Sequence, residues 1–326
     1  MATLVTGGTG FVASNIVKEL ARSGHQVVSF DLRPPDALAE DFVRDYNSQI
    51  KFVQGDILDR QAVASLGDGH HIDKIVHAAV YTVNDTRLET ERSKEIIDIN
   101  VAGTANLLEL ARSAKVARFV YVSSGSAYGT AAPPDQTLSE NTPPVPQNLY
   151  GITKFVSEML TRRYGELHQL STVSVRLSTP YGPMERVTGH RAIMSVVYDW
   201  TRQAARGEDV QARDLDQGRD YTYVADIADG IRTVLDAPNL PHDLYNLTNG
   251  VWFTFRQILE ALQEVSPGIR VVELSLSEPG GQQGAPLRGP LSGHRIFADL
   301  NWLPKYDLRA GLTEYLQWRR DSGFLD

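Results

Sequence analysis

The stretch "TLVTGGTGFVA" at residues 3–13 decides the fold. It begins as an apolar, β-branched run typical of a buried strand and continues into an amphipathic helical pattern. Gly7, Gly10 and Ala13 mark the turn between them, with the spacing G-x-x-G-x-x-A. Glycines at such a turn let a pyrophosphate approach the backbone, and the helix N-terminus supplies free N–H groups. The stretch therefore predicts a dinucleotide-binding site.

The residues that follow the glycine turn extend this predicted site. Phe11 and Val12 open the helix, so their backbone N–H groups are expected to face the phosphates. Asp31 ends the next β-branched run, where a carboxylate accepts hydrogen bonds from both ribose hydroxyls of NAD and repels the 2′-phosphate of NADP. The positive charge of Arg33, two residues further on, would favour a 2′-phosphate and keeps NADP open as an alternative cofactor. We expect NAD as the cofactor and no bound metal.

The first half of the chain alternates short apolar runs with helical patterns. Near-continuous apolar strands that alternate with helices are typical of a parallel sheet covered on both faces. The pattern predicts the α/β class, with a doubly wound parallel sheet of the Rossmann type. The predicted strands lie at 3–7, 25–31, 50–56, 74–79, 118–124 and 172–177.

The pattern loosens after residue 180. Helical segments are predicted near 191–206, 225–236, 254–265 and 308–320, with a Pro- and Gly-rich piece at 277–290. We therefore divide the chain into an NAD-binding domain and a smaller C-terminal substrate-binding region. The NAD-binding domain spans 1–180, and residues at about 220–248 complete it. The substrate-binding region makes up most of 181–326.

Composition excludes several classes of function. The 326 residues carry a net charge of −8, which argues against general affinity for nucleic acid or for an anionic membrane surface. No stretch approaches the roughly 18 apolar residues of a membrane span. The chain contains no cysteine, so disulfides, thiol catalysis and Cys-ligated metals are excluded. With no signal pattern at the N-terminus, we expect a cytoplasmic protein.

A second informative stretch is "NLYGITKFVSEML" at 148–160. Tyr150 and Lys154 lie four residues apart in a predicted helix, so their side chains share one face. A phenol titrates near pH ~10, and a nearby cation lowers that pKa. Taken alone, the pair is an ordinary feature of an amphipathic helix. Beside a predicted dinucleotide site, it becomes a candidate proton-transfer pair.

Ordered motifs along nearly the whole chain resemble the extended short-chain dehydrogenase/reductase superfamily. The resemblance is strongest to its NAD-dependent epimerase/dehydratase branch, the nucleotide-sugar epimerases in particular. The motifs that carry it are "TGGTGFVA" (6–13), "VHAA" (76–79), "NVAGTANLLE" (100–109), "VSSGSAYG" (122–129), "YGITK" (150–154) and "RDYTYVADIADG" (219–230).

The resemblance implies a role for each matching residue. Tyr150 would be the general base in oxidation and the general acid in reduction. Lys154 would bond the nicotinamide ribose and lower the pKa of Tyr150, and Ser124 would bond the substrate oxygen. Asp56 and Ile57 would flank the adenine. Ala78 and Ala79 would line the cofactor groove with their backbone, and Asn100 would hold the helix geometry or a water near the cofactor.

The family carries out more than one reaction, and the sequence favours epimerisation. Its dehydratases have an Asp-Glu pair after the catalytic hydroxyl residue, where this chain has Gly125 and Ser126. A nucleotide-sugar epimerase needs the Ser-Tyr-Lys set and cations for the substrate diphosphate. Arg219 and Arg288 stand where the resemblance places such cations. A UDP-sugar epimerase is the preferred prediction.

Two alternatives stay open. The family's usual Asn is replaced by Thr179, and the loop at 184–195 concentrates Arg186, His190 and Arg191. A basic loop beside the active site can bind a carboxylate, which suggests an NAD-dependent dehydrogenase of a small sugar, sugar acid or hydroxy acid. A non-catalytic NAD-binding protein is disfavoured, because both the Tyr and the Lys are kept.

The resemblance also implies a homodimer. The helical patterns at 91–114 and 150–165 resemble the pair that forms a four-helix interface in this superfamily. Apolar residues on these helices are then expected to contact the second copy. The other expected partner is the substrate, a small carbohydrate. The candidates for the dimer contact are Ile96, Leu107, Phe155 and Leu160.

Overall fold

The computed structural model describes residues 1–83, 85–129, 135–191, 194–274 and 288–326. The strands within these ranges are β1 Ala2–Thr6, β2 Val27–Asp31, β3 Ile50–Gln54, β4 Ile72–His77, β5 Arg118–Ser124, β6 Thr172–Leu177, β7 Thr179–Tyr181, β8 Val210–Ala212, β9 Gly218–Tyr223, β10 Leu244–Leu247, β11 Trp252–Thr254 and β12 Val271–Glu273. The α-helices are α1 Phe11–Arg22, α2 Ala37–Val43, α3 Arg60–His70, α4 Thr86–Ile97, α5 Gly103–Ala114, α6 Leu149–His168, α7 Val196–Arg206, α8 Val224–Asp236, α9 Phe255–Val265, α10 His294–Leu300 and α11 Leu308–Ser322.

A seven-stranded parallel sheet forms the centre of the molecule. Its order is β10-β6-β5-β4-β1-β2-β3. Thr6 lies level with both Phe30 and His77, so the carboxyl ends of β1, β2 and β4 meet at one edge. The strand order reverses between β1 and β4, which is where doubly wound sheets bind their ligands. The predicted Rossmann architecture is confirmed.

Alternating side chains of the strands feed two cores, one on each face of the sheet. Val5 packs among residues of α1 and α8 on one face. Leu4, its neighbour, packs among residues of α3 and α5 on the other face. Successive side chains of a strand point to opposite faces, so both faces need helical cover. The apolar runs of the sequence follow from this double burial.

The C-terminal part adds smaller sheets and a core of its own. Strands β7, β9 and β11 form one small sheet, and β8 pairs with β12. Side chains of α7, α9 and α11 pack together with these strands. Most of the Pro- and Gly-rich piece predicted at 277–290 lies outside the described residues. The division of the chain into two domains near residue 180 stays a prediction.

The long helical pattern at 91–114 is two helices rather than one. The π-helical turn Asp98–Ala102 joins α4 to α5. Ile96 and Leu107 are fully buried within the chain, so the expectation that they contact a second copy is wrong. Phe155 and Leu160 are half-buried. Across the described ranges, no helix has both the length and the apolar character that a membrane span requires.

Candidate active site

The glycine turn between β1 and α1 forms a cradle at the sheet edge. Gly7 has φ +69°, and its N–H donates to the carbonyl of Phe30 over 2.8 Å. A Cβ built on Gly7 would lie 2.8 Å from Cα of Ala79, so only glycine permits this approach. Gly10 caps α1 without a side chain, which leaves the first N–H groups of the helix open to an anion. The cradle fits the pyrophosphate of a dinucleotide.

Asp31 lies beside this cradle, at the end of β2. Its Oδ2 accepts a hydrogen bond from the Thr9 N–H over 3.1 Å, and its Oδ1 accepts one from the Arg33 N–H over 3.3 Å. These bonds fix the carboxylate next to the turn, as recognition of a ribose requires. The Arg33 guanidinium lies against Gly189, where a Cβ would be 2.8 Å from its Nη2.

The floor of the groove depends on Thr6. Its Oγ1 accepts hydrogen bonds from the N–H groups of Ala78 and Ala79, each over 3.2 Å. The same oxygen lies 2.7 Å from Nδ1 of His77, whose Nε2 lies 3.0 Å from the Thr104 hydroxyl. The N–H groups of the two alanines are therefore already bonded within the chain, which leaves their carbonyl oxygens and methyl groups to line the groove. Their contact with the cofactor stays a prediction.

His77 is a residue that the sequence analysis did not single out. It is buried under the groove, and burial lowers its pKa to about 3, with a smaller contribution from the charge of Lys154. The imidazole is therefore neutral at physiological pH and serves as a hydrogen-bonding bridge between β1, β4 and α5. A single histidine inside the apolar run at 72–79 was the available signal.

The predicted adenine contacts lie at the end of β3. The Asp56 carboxylate accepts a hydrogen bond from the Leu58 N–H over 2.8 Å. The Ile57 side chain is buried against Gly103, and its carbonyl accepts a hydrogen bond from Asn106 over 2.9 Å. Ile57 thus packs inward on α5, and a contact between either residue and adenine stays a prediction.

Asn100 joins the end of β4 to α6. Its Oδ1 accepts a hydrogen bond from the Tyr81 N–H over 2.8 Å, and its Nδ2 donates to the Tyr81 carbonyl and to the Thr153 hydroxyl. Its own carbonyl accepts a hydrogen bond from the Ser157 hydroxyl over 2.8 Å. Asn100 lies in the π-helical turn, which brings its side chain between the two elements. Its contact with the cofactor stays a prediction.

Ser124, Tyr150 and Lys154 come together at the carboxyl edge of the sheet. Tyr150 lies in the first turn of α6, and Nζ of Lys154 lies 6.0 Å from the centroid of its ring. Lys154 is buried, and its Nζ donates to the carbonyl of Val122 over 2.7 Å. Ser124 ends β5, where its Oγ accepts a hydrogen bond from the Ser126 N–H. The structure thus brings together all three residues predicted to be catalytic.

The electrostatics of this group differ from the sequence-based expectation. Burial raises the pKa of Tyr150, and the effects that oppose it most are a hydrogen bond with Ser124 and the charges of Arg191 and Arg288. Burial lowers the pKa of Lys154 to about 7, so this ammonium is only partly charged near neutrality. The sequence assigned the lowering of the Tyr150 pKa to Lys154. In the structure, Ser124 and the two arginines contribute most.

Arg288 lies next to the catalytic group and forms an electrostatically coupled pair with Arg219. Arg219 lies on β9, and Arg288 lies against Gly125, where a Cβ would be 2.6 Å from its Nη2. Burial and then the charge of Arg219 lower the pKa of Arg288 to about 10. Two like charges held together favour a ligand that carries two negative charges. A diphosphate is such a ligand.

Arg186 lies at the cofactor cradle and not at the predicted anion site. It donates to Oδ2 of Asp36 over 2.5 Å and to the carbonyl of Thr9 over 3.3 Å. Thr179 lies on β7, where it pairs with Tyr221 of β9. Substrate contacts of Arg186 and Thr179 stay predictions, and Arg186 is already paired in the chain.

The remaining members of the basic loop lie closer to Tyr150. Arg191 donates to Oε1 of the buried Glu185 over 2.8 Å, and its charge acts on Tyr150. The His190 ring packs on that of Tyr81, with 4.9 Å between ring centroids. The loop is therefore divided between the cradle and the phenol and does not form one basic cluster. Substrate binding by Arg191 stays a prediction.

The fold and the site define a class: enzymes that bind NAD on a Rossmann sheet and act through a Ser-Tyr-Lys group. The chain belongs to the NAD dependent epimerase/dehydratase family, whose model matches residues 3–248. Within the residues that the structure describes, no group of side chains suits a metal ion.

Similar proteins include members with each of the two activities. A dTDP-D-glucose 4,6-dehydratase of Homo sapiens is 28% identical over 98% of this chain and 90% of its own length. A putative UDP-glucose 4-epimerase of Methanocaldococcus jannaschii is 27% identical over 98% of both. The UDP-glucose 4-epimerase of Thermotoga maritima, solved with UDP-glucose, is 25% identical, covers 99% of each chain and superposes with a TM-score of 0.84.

Proposed function

We propose that this protein is an NAD-dependent nucleotide-sugar epimerase that acts on a UDP-sugar. Three findings support this function: the pyrophosphate cradle, the Ser124-Tyr150-Lys154 group and the adjacent arginine pair. The cradle fits NAD, and the arginines fit the diphosphate of the sugar nucleotide. The similarity to the UDP-glucose 4-epimerases of Methanocaldococcus jannaschii (putative) and Thermotoga maritima also supports this function. A small sugar-acid dehydrogenase is less well supported, because its basic loop is divided and paired.

The packing of Arg288 on Gly125 is the observation that separates epimerase from dehydratase. Removal of water from a sugar needs an additional acid–base pair beside the catalytic hydroxyl residue. In this chain the position after Ser124 has no side chain, and a guanidinium fills the space. A cation there cannot act as the acid–base pair, but it can hold a phosphate. Oxidation and reduction at one carbon then remain as the chemistry that the site supports.

The residues of the site divide the proton chemistry between them. NAD, when bound, supplies the hydride acceptor and donor at its nicotinamide ring. In its phenolate form the Tyr150 oxygen takes the proton of the sugar hydroxyl during oxidation, and the resulting phenol returns it during reduction. The Ser124 hydroxyl donates to the sugar oxygen and stabilises the charge that develops there. Lys154, which is anchored on the Val122 carbonyl and partly charged near neutrality, lies behind the phenol and favours its anion when protonated.

Epimerisation also requires that the oxidised sugar rotate in the site between oxidation and reduction. The arginine pair holds the diphosphate, which does not react, so the sugar can rotate while the nucleotide stays bound. Such a rotation would present the other face of the same carbon to the cofactor site. No net NADH accumulates, in contrast to a dehydrogenase.

The direct test is to incubate the purified protein with UDP-glucose, UDP-galactose and UDP-glucuronic acid, each without added NAD. We expect conversion of at least one to its epimer, no net NADH, and NAD released on denaturation. A 4-keto-6-deoxy product would show a dehydratase. Steady NADH formation with a free sugar acid would show the dehydrogenase instead.

We also propose that the protein is a homodimer that works in the cytoplasm. Ile97 on α4 and Ile152 and Met159 on α6 are 44%, 40% and 48% exposed, and the two helices are neighbours. Exposed apolar residues on adjacent helices favour a four-helix contact. Met159→Glu should yield a monomer in sedimentation, whereas Leu167→Glu, at an exposed position further along α6, should not. The cysteine-free composition favours the reducing cytoplasm.

A further inference from the structure

Glu158 lies on the face of α6 that carries the proton-transfer pair. Tyr150, Lys154 and Glu158 follow one another at intervals of four residues, so their side chains form one row. Only 7% of Glu158 is exposed. A buried carboxylate is costly unless it is paired and fully hydrogen-bonded. Its position next to the catalytic row therefore needs a reason.

Two neighbouring strands hold this carboxylate. The Ser123 hydroxyl donates to Oε1 of Glu158 over 2.5 Å. Arg176 donates from Nε to Oε1 over 2.9 Å and from Nη2 to Oε2 over 2.7 Å. This bidentate arrangement is geometrically specific. Because Ser123 directly precedes Ser124, the carboxylate is tied to the strand end that presents the catalytic hydroxyl.

The same contacts continue towards the substrate-binding segment. The Arg176 guanidinium lies 4.4 Å from the centroid of the Tyr128 ring, and the Tyr128 hydroxyl donates to Oδ1 of Asn246 over 2.9 Å. Asn246 donates in turn to the carbonyl of Ser292 over 3.3 Å. Ser292 lies four residues after Arg288. One buried network thus joins the catalytic helix, the end of β5 and the segment that carries Arg288.

We propose that Glu158 is a positioning residue of the reaction. It fixes the end of β5 that carries Ser124 against the Lys154 turn of α6, and it places a negative charge behind the ammonium. Arg176 pairs with the carboxylate and orients it. This inference rests on the proposed function, since it assigns a task only within Ser-Tyr-Lys chemistry.

The groups around Lys154 show how the charge of Glu158 changes the pKa of the ammonium. The ammonium is surrounded by Tyr150 and Glu158 on α6, Tyr121 on β5 and His77 on β4. Burial keeps His77 neutral, and burial raises the pKa of Tyr121. Glu158 raises the pKa of Lys154 against the effect of burial. Without Glu158, Lys154 should therefore lose its proton at a lower pH.

The test compares three variants of the full chain. Glu158→Gln removes the charge but leaves the buried Arg176 unpaired, which destabilises the fold. The double variant Glu158→Gln/Arg176→Met removes both charges and keeps similar side-chain lengths. Glu166→Gln makes the same change on an exposed residue of α6 and is the control. The ¹³Cε signals of lysine, followed by NMR against pH, report Lys154 directly.

We expect the Lys154 titration to move down by about one pH unit in the folded double variant, and to stay in place in Glu166→Gln. The kcat for epimerisation should fall by up to about 100-fold with KM for the sugar nucleotide unchanged. An unmoved titration, or full kcat, in the folded double variant overturns the proposal. A wild-type protein that is inactive on every nucleotide sugar overturns the proposed function instead, and the titration still reports on Glu158.

Discussion

Arg219 lies beside Arg288, and after burial its charge is the strongest influence that lowers the pKa of Arg288 to about 10. Arg288 itself lies against Gly125, the residue after Ser124, and its charge acts on Tyr150. Repulsion between the two arginines is relieved when an anion binds. Under the proposed function the pair binds the diphosphate of the sugar nucleotide, which makes each arginine testable.

Arg219→Ala should raise KM for the sugar nucleotide by about 10- to 150-fold and change kcat little. Arg288→Ala should raise KM to a similar extent and also lower kcat, because the Arg288 charge opposes the raised pKa of Tyr150. A charge-assisted hydrogen bond contributes roughly 1.5–3 kcal/mol, and the phosphates are bound equally in the ground and transition states. Arg186→Ala is the matched control, because Arg186 pairs with Asp36. If Arg186→Ala, or Arg191→Ala, raises KM instead, the anion site lies in the basic loop.

Gly125→Ala tests the packing of Arg288 directly. The new Cβ would meet the end of a flexible side chain, so the protein should fold with a melting temperature within a few degrees of wild type. The guanidinium must move, and KM should rise by about tenfold. In the Arg288→Ala background the same glycine substitution should have no further effect. Additive effects in this double-mutant cycle would show that the two residues act separately.

Tyr150→Phe removes the phenolic hydroxyl and keeps the ring. Turnover should fall by about 10²- to 10⁴-fold, the usual contribution of general acid–base catalysis. Fluorescence titration should show unchanged NAD binding, because the cradle lies on β1 and α1. The matched control is Tyr121→Phe, which alters a phenol that contacts Lys154 from β5. Wild-type turnover in Tyr150→Phe would remove Tyr150 from the mechanism.

The sequence predicted the central sheet well because local patterns determine it. Parallel strands buried on both faces must be apolar throughout, and the positive φ at position 7 requires a glycine. Both requirements are visible in the sequence. The edges of two predicted strands, 118–124 and 172–177, match those observed, and those of the other four differ by at most two residues. The π-helical turn at Asp98–Ala102 was not predicted, since it leaves the helical periodicity almost unchanged.

The pairing of charged residues could not be predicted from the sequence. Arg186 and Arg191 are five residues apart, yet one pairs with Asp36 and the other with Glu185. Such partners depend on how the loop crosses the sheet edge, which sequence distance does not encode. The same limit applies to His77 and Glu158, whose roles follow from burial.

Asp31 should give a clear preference for NAD over NADP. Its carboxylate, fixed by the N–H groups of Thr9 and Arg33, lies where a 2′-phosphate would be repelled. Asp31→Asn keeps the size and lowers the repulsion, so the ratio of the two dissociation constants should shrink by about tenfold or more. Titration of both cofactors measures this ratio. A preference for NADP in the wild type would mean that Arg33 dominates.

Lys154 should make the stability of the protein depend on pH above neutrality. Its pKa is about 7 in the folded protein, against about 10.4 for an exposed lysine. Between these values the unfolded chain binds more protons than the native state. Stability contributed by this group therefore rises with pH from about 7 towards about 10.4, by up to about 1.4 kcal/mol per pH unit. Lys154→Met has no such titration and should lack this slope.

Urea unfolding at pH 7, 8 and 9 checks this, with the wild type and Lys154→Met measured together. The free energy of unfolding of the wild type, minus that of Lys154→Met, should increase at each step in pH. The effects of other groups are the same in both proteins and cancel in this difference. Lys74→Met is the control, since Lys74 forms an ion pair with Asp236 at the surface. Parallel pH curves for wild type and Lys154→Met would show that Lys154 keeps an ordinary pKa in the folded protein, and with it a full charge behind Tyr150.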